Sequence, residues 1–207
     1  MNRGLRVNGK SLRIIKSLLT NLLLLIVVFS VSVNVARAFG TYIDKVYTVA
    51  GASMAPTLNT FESGSSHSGD TVLIDKNADI ERGDIIVLIS PWEEADGSRK
   101  LLIKRVIAFG GDRVEIKSGV VYVNGTALVE DYVIRKSNET ILEFQVPDGH
   151  VYFLGDNRTN SADSRKDNTT VDMSEVIGKE IKICREGTLE NKLHMLIFNT
   201  LDRMIKR

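Results

Sequence analysis

Apolar and polar positions divide the chain into two unequal parts. No charge occurs from residue 17 to residue 36, and residues 22–29 are apolar without interruption. A helix rises about 1.5 Å per residue, so twenty residues span about 30 Å, the thickness of a bilayer core. Thr20, Asn21, Ser30, Ser32 and Asn34 dilute the run. Nothing amphipathic surrounds it, however, so the pattern predicts one membrane-spanning helix over 17–36 rather than a buried core helix. From residue 46 the periodicity changes to short strand-like runs, at 46–50, 71–74, 84–89, 101–107, 113–117, 120–123, 126–129, 144–146, 150–154 and 180–184. Gly69-Asp70, Arg82-Gly83-Asp84 and Gly110-Gly111-Asp112 punctuate them, and Ser118-Gly119 and Asn124-Gly125 read as two-residue hairpin turns. No helical segment of ordinary length alternates with these strands, which excludes a parallel α/β sheet. A mostly antiparallel β domain over 41–187 is the expectation. Residues 59–68 (NTFESGSSHS) are small and polar and read as a surface loop. Leu189, Leu193, Leu196, Ile197, Leu201, Met204 and Ile205 recur at helical spacing and predict an amphipathic helix over 188–207, packed on its own domain or lying on a membrane surface.

Charge refines this picture. The net charge is +1, so the chain offers no global attraction for nucleic acid. Its distribution is uneven: Arg3, Arg6, Lys10, Arg13 and Lys16 precede the apolar run, and no acid occurs before Asp44. That asymmetry predicts a cytoplasmic segment over 1–16 and a domain outside the cytoplasm after residue 40. Ala36-Arg37-Ala38 also resembles the end of a removable secretory signal. The uncharged run exceeds the usual length of such a signal, which favours an uncleaved anchor. Cys184 stands alone, so there is no disulfide framework or cysteine metal cluster, and it reads as a small buried hydrophobe.

Candidate chemistry then narrows to two residues. His67, His150 and His194 have no metal-ligand spacing and no triad context, which removes a Ser-His-Asp reading. Ser53 lies in Gly51-Ala52-Ser53-Met54-Ala55-Pro56, where Pro56 pushes Ala55 toward an extended conformation and Gly51 and Ala52 leave the hydroxyl open to approach. Lys104 interrupts the apolar run 101–107. A lysine in such surroundings loses hydration of its charged form, so its pKa falls from about 10.4 and the neutral amine can take a proton from a hydroxyl. Each residue alone has a structural reading, a turn serine or a lysine whose stem reaches outward.

Five segments add a resemblance. They are 53–58 (SMAPTL), 69–76 (GDTVLIDK), 82–87 (RGDIIV), 104–112 (KRVIAFGGD) and 155–165 (GDNRTNSADSR). In this order, behind one apolar span, they resemble bacterial type I signal peptidases of the leader peptidase family, with a Gram-positive character. The resemblance implies an antiparallel β-sheet or barrel-like catalytic domain behind one transmembrane helix. It implies a serine endopeptidase that removes signal peptides from exported preproteins, anchored in membrane lipid and needing no cofactor. Ser53 is then the nucleophile and Lys104 its base. Ser161 would hydrogen-bond the lysine amine, with Asp163 and Arg165 a supporting charged pair. Gly51 and the Ser53 N–H form the oxyanion region, Gly51 standing where some members carry a serine. Val49, Met54, Leu58 and Ile103 would line shallow pockets for the small side chains of A-x-A-type cleavage sites. Ala108 and Gly110 replace a glycine and a proline, which implies a looser turn. The rival expectations are a Ser/Lys protease with another substrate and a catalytically silent tethered β module that binds exported chains.

Overall fold

The computed structural model describes residues 9–42, 45–58, 69–185, 187, 188 and 192, with side chains of the long N-terminal helix described for Lys10 and residues 13–32. The basic residues Arg3 and Arg6, the loop at 59–68, His67, His194 and nearly all of the amphipathic segment at 188–207 lie outside these residues. The chain divides into two units, residues 1–42 and 43–207.

The first unit contains α1, Gly9–Tyr42, which encloses the predicted span at 17–36 and extends it at both ends. Within it Arg13–Ser32 is long and apolar enough to cross a membrane. Its polar residues are accommodated by bonding inward: Thr20 Oγ1 donates to the Lys16 carbonyl at 2.9 Å and Ser32 Oγ to that of Val28 at 2.8 Å. A hydroxyl that bonds one turn back presents little unsatisfied polarity to lipid. Ile14, Leu18, Leu22, Leu25 and Phe29 are all exposed, as a helix surrounded by lipid requires.

The second unit is antiparallel throughout its described pairings. Its strands are β1 (Lys45–Thr48), β2 (Thr71–Asp75), β3 (Ile85–Glu93), β4 (Arg99–Phe109), β5 (Arg113–Lys117), β6 (Val120–Val123), β7 (Thr126–Ala127), β8 (Ile141–Gln145), β9 (His150–Leu154), β10 (Val171–Asp172) and β11 (Val176–Cys184). Seven form a sheet in the order β1-β2-β11-β3-β4-β9-β10, and four form a second in the order β7-β6-β5-β8. Strand alternation explains the near-continuous apolar runs. In β3, Ile85 and Val87 enter a cluster with Val49, Met54, Leu58, Val72 and Ile74, while Ile86 and Leu88 enter another with Val106, Val151 and Phe153. Both faces of the larger sheet are therefore covered. Tyr152 and Leu154 of β9 join Val114, Ile116, Val121 and Val123, so the smaller sheet shares its core with the larger one.

The two hairpin turns form as expected. Ser118 and Gly119, then Asn124 and Gly125, all have positive φ, and they close the registers Lys117↔Val120 and Val123↔Thr126. β11 is longer than the expected 180–184 and inserts between β2 and β3. Register shifts at Val176/Gly178 and Glu180/Lys182, together with its charged positions, hide it from an alternation pattern. β3 continues through Pro91 because the ladder with β4 shifts register between Ile89 and Glu93, a place where a missing N–H is tolerated.

The turn after β4 is not loose. Phe109 N–H donates to Asp112 Oδ2, Gly110 N–H to the His150 carbonyl and Gly111 N–H to the Val146 carbonyl, each at 2.9 Å. A Cβ on Gly110 would lie 2.8 Å from both Asp148 Cα and the Pro147 carbonyl oxygen, so backbone there approaches backbone directly. Gly110→Ala is expected to destabilise the protein by about 1–3 kcal/mol, as overpacking a rigid contact does. Chemical unfolding of the detergent-solubilised chain measures this; a change below about 0.5 kcal/mol, the size of an ordinary surface effect, contradicts it.

Candidate active site

Ser53 sits in a single 3₁₀ turn, Ala52–Met54, just beyond β1. Gly51 enters the turn at φ +86°, in the left-handed region that glycine favours, and a Cβ there would meet nothing within 4 Å. Ala55 is extended ahead of Pro56, as expected. Met54 and Leu58 are fully buried in the apolar cluster beneath and anchor the turn. The turn's carbonyls are also held from across the fold: Asn157 N–H donates to the Ser53 carbonyl at 3.0 Å and Asn157 Nδ2 to that of Ala52 at 3.1 Å.

Lys104 comes from the middle of β4, in register with Ile86. Its side chain is almost completely buried, and Nζ lies 2.7 Å from Ser53 Oγ and 2.8 Å from the Ile103 carbonyl oxygen. Burial pushes the amine down to about 8, against the opposing pull of the Asp163 and Asp156 carboxylates. As an ammonium Nζ donates to both oxygens. As a neutral amine it keeps the bond to Ile103, and its lone pair faces the serine hydroxyl, which then donates.

The charges around this pair are themselves paired. Asp156 is fully buried and accepts from Arg105 Nε at 2.9 Å and Nη2 at 2.6 Å, and also from the Thr57 hydroxyl. It thereby ties the residue beside Lys104 to the segment after Ser53. Arg105 donates further to the Gly83 carbonyl at 2.6 Å. Asp163 accepts from Arg165 Nε at 2.7 Å and Nη2 at 2.9 Å, and from the Gly155 N–H at 3.0 Å. The expected charged pair is thus present, and it braces the turn that carries Ser161.

Ser161 differs from its expected role. Its Oγ is buried without a hydrogen-bond partner among the described residues. The described bonds of the Lys104 amine go to Ser53 and Ile103 instead. Ser161 is nonetheless close to Ser53: a Cβ on Gly155 would lie 2.2 Å from Ser161 Oγ and 2.5 Å from the Ser53 carbonyl oxygen. Only a glycine lets the two segments meet there.

A cleft of about 170 Å³ opens beside the pair. It is lined by residues 47–50, by Leu101, Leu102 and Ile103, by Val72 and Val87, and by Ser53 and Lys104 themselves. Val49 and Ile103 are therefore on the cleft, as expected. Met54 and Leu58 are not; both are fully buried in the apolar cluster under the turn. His150 lies at the start of β9 with its ring Nδ1 3.1 Å from the Asp148 carbonyl, a local turn contact. Arg105, Asp156, Asn157 and Thr57 carry the site's hydrogen bonds and had no role assigned from sequence. In sequence Thr57 and Arg105 stand close to Ser53 and Lys104, whereas Asp156 and Asn157 belong to the distant segment 155–165 and only the fold brings them to the pair.

Comparison with known proteins identifies the family. Residues 19–184 match the family described as signal peptidase, peptidase S26. A signal peptidase I of Bacillus amyloliquefaciens is 29% identical over 162 residues, covering 72% of this chain and 77% of that protein. Signal peptidase I U of Bacillus subtilis (strain 168) is 32% identical over 149 residues, covering 66% and 73%. A crystal structure of a signal peptidase I from Enterococcus faecalis V583 aligns at 31% identity over 49% of this chain and 97% of that one, with a TM-score of 0.41. The family match runs from within the apolar helix to the last residue of β11. The chain belongs to the signal peptidase family, peptidase S26.

Proposed function

We propose that this signal peptidase cuts exported preproteins by a serine–lysine mechanism, with Ser53 as nucleophile and Lys104 as general base. The observation that carries the reading is the 2.7 Å separation of Lys104 Nζ and Ser53 Oγ, with the amine buried and its pKa brought to about 8. Ser53 Oγ attacks the carbonyl carbon of the scissile peptide while Nζ accepts its proton. The resulting oxyanion collapses, the C–N bond breaks, and the Lys104 ammonium returns the proton to the leaving amine. The mature chain departs, and the signal peptide remains as an ester on Ser53. Lys104, neutral again, deprotonates a water that hydrolyses the ester. The Ser53 N–H is one donor to the oxyanion; Gly51 adds no hydroxyl, so backbone or solvent supplies the second. Ser161, packed against the Ser53 segment, and the Asp163–Arg165 pair support the geometry.

The small cleft suits substrates with short side chains, since Val49 and Ile103 narrow it beside the dyad. Residues 17–36 anchor the protein in the membrane with residues 1–16 in the cytoplasm and 41–187 outside, an orientation favoured by the basic residues ahead of the span. Ala36–Ala38 resists the protein's own cleft in this reading. Those residues are helical within α1, whereas a protease subsite of this kind takes an extended chain.

Four outcomes are expected. Ser53→Ala and Lys104→Met each abolish cleavage of a purified preprotein; normal turnover by either folded variant sinks the dyad. The cleavage rate rises with pH and levels off above about 8, because only the neutral amine is a base; a profile flat from acid to alkaline pH contradicts this. The same titration affects stability. The lysine pKa is lower in the folded state than its ordinary 10.5, so the unfolded chain binds more protons between about 8 and 10.5. Lys104→Met should therefore be more stable than the parent by up to about 3 kcal/mol at or below pH 8, with the gap closing as pH rises toward 10.5. Denaturant melts across that range test this, and a gap that widens with pH reverses the sign. N-terminal sequencing of membrane-extracted protein checks the anchor: a dominant species beginning at Phe39 identifies a removed signal instead.

A further inference from the structure

Residues 128–133, which leave the smaller sheet after β7, bring two side chains onto the arginines of the site. Glu130 accepts from both terminal nitrogens of Arg158, one of them at 3.1 Å, and these side chains are 8% and 2% exposed. Tyr132 donates its hydroxyl to Glu130 Oε1 at 3.0 Å, and its ring lies 4.0 Å from the Arg105 guanidinium carbon. Burial and the neighbouring Glu130 push the phenol up, so it remains a donor. Leu128 N–H on the Val121 carbonyl at 2.8 Å fixes the start of the segment, and Val133 N–H closes a turn on the Glu130 carbonyl at 3.0 Å within it.

The two arginines lead in different directions. Arg105 follows Lys104 directly and grips Asp156 through two bonds. Arg158 follows Asn157, whose N–H and amide hold the Ser53 turn, and its Nε donates to the Gly155 carbonyl at 3.1 Å. One tyrosine–glutamate unit thus bears on the strand of the base and on the segment that pins the nucleophile. Exposed ion pairs contribute little, but a buried arginine that loses its only carboxylate leaves an uncompensated charge. A cation over an aromatic face is also stronger when partly desolvated, as Arg105 is here.

We propose that Glu130 and Tyr132 are positioning residues for the Ser53–Lys104 pair, acting through Arg158 and Arg105. The proposal rests on the dyad reading above. Neither side chain reaches the cleft. Their effect is on the spacing of the reacting atoms and on how fully Arg105 neutralises Asp156, one of two carboxylates, with Asp163, that pull on the Lys104 amine.

The test compares Tyr132→Leu, Tyr132→Phe and Glu130→Gln with the parent, each as the full chain in detergent, on a synthetic signal-peptide substrate across pH. Tyr132→Leu is expected to lower kcat about tenfold with KM within about twofold, the signature of lost transition-state alignment. Its pH midpoint should move upward, because an Arg105 released from the ring neutralises Asp156 less. Tyr132→Phe keeps the ring and should restore both kcat, to within about threefold, and the midpoint. Glu130→Gln should lower kcat about tenfold with KM unchanged. A folded Tyr132→Leu with kcat within about twofold of the parent and an unmoved midpoint overturns the proposal. If Tyr132→Leu does not fold, Glu130→Gln decides by the same kcat criterion. A parent without any alkaline midpoint counts against Lys104 as the base, while the kcat comparison still judges Glu130 and Tyr132.

Discussion

In the proposed mechanism Lys104 is the base, and a lysine works as a base near neutral pH only where its charged form is disfavoured, which here means keeping Lys104 dry. Its amine is buried in a β-sheet, and burial is the largest influence on its proton affinity. Dryness alone would be easy, since an apolar pocket supplies it. The harder requirement is that the same amine stays within 2.7 Å of a serine hydroxyl that substrate can reach. The fold meets both by placing the lysine in the middle of β4, where ladders on either side exclude water, and by bringing the serine to it on a short turn. The lysine is thus fixed by the most regular part of the molecule and the serine by one of the least regular.

That division explains the ion pairs. A turn has no backbone ladder to hold the Ser53 hydroxyl in place, so side chains do it. Asn157 clasps two successive carbonyls of the turn, and Asp156 joins Thr57 beyond it to Arg105 beside Lys104. Buried carboxylates carry a heavy desolvation penalty and are stable only when fully bonded. Asp156 meets that condition with three donors and Asp163 with Arg165 and the Gly155 N–H. Such interactions contribute more to a unique arrangement than to net stability.

Much of the fold was legible because the hydrophobic pattern and the turn chemistry agree. β5, β6 and β9 fall where alternation puts them, and the Asn124-Gly125 and Ser118-Gly119 turns fix register by positive φ alone. β11 was only half visible, since a strand interrupted by bulges and charges has no clean period, and β10 is too short to have any. At the site, Ser53 and Lys104 stood out as a serine on a constrained turn and a charge inside an apolar strand. Their contact did not: 51 positions separate them, and nothing local encodes a distance of that kind. The pocket residues show the same limit. Val49 and Ile103 line the cleft, Val49 while also buried in the cluster that Met54 and Leu58 fill, and apolar character alone does not distinguish a cleft position from a core one.

The carboxylates that organise the site also limit it. Asp163 and Asp156 stabilise the ammonium form of Lys104, so they oppose the effect of burial on which the chemistry depends. Arg105 and Arg165 resolve the conflict in part. Each places two guanidinium nitrogens on one carboxylate, which keeps the bonds that hold the geometry and sets a positive charge against each acid. A lysine at this position would not serve as well, because an ammonium cannot grip both oxygens in one plane. The amine therefore settles at about 8 rather than lower, a balance between a dry strand and two paired acids that hold the Ser53 turn and its neighbours in place.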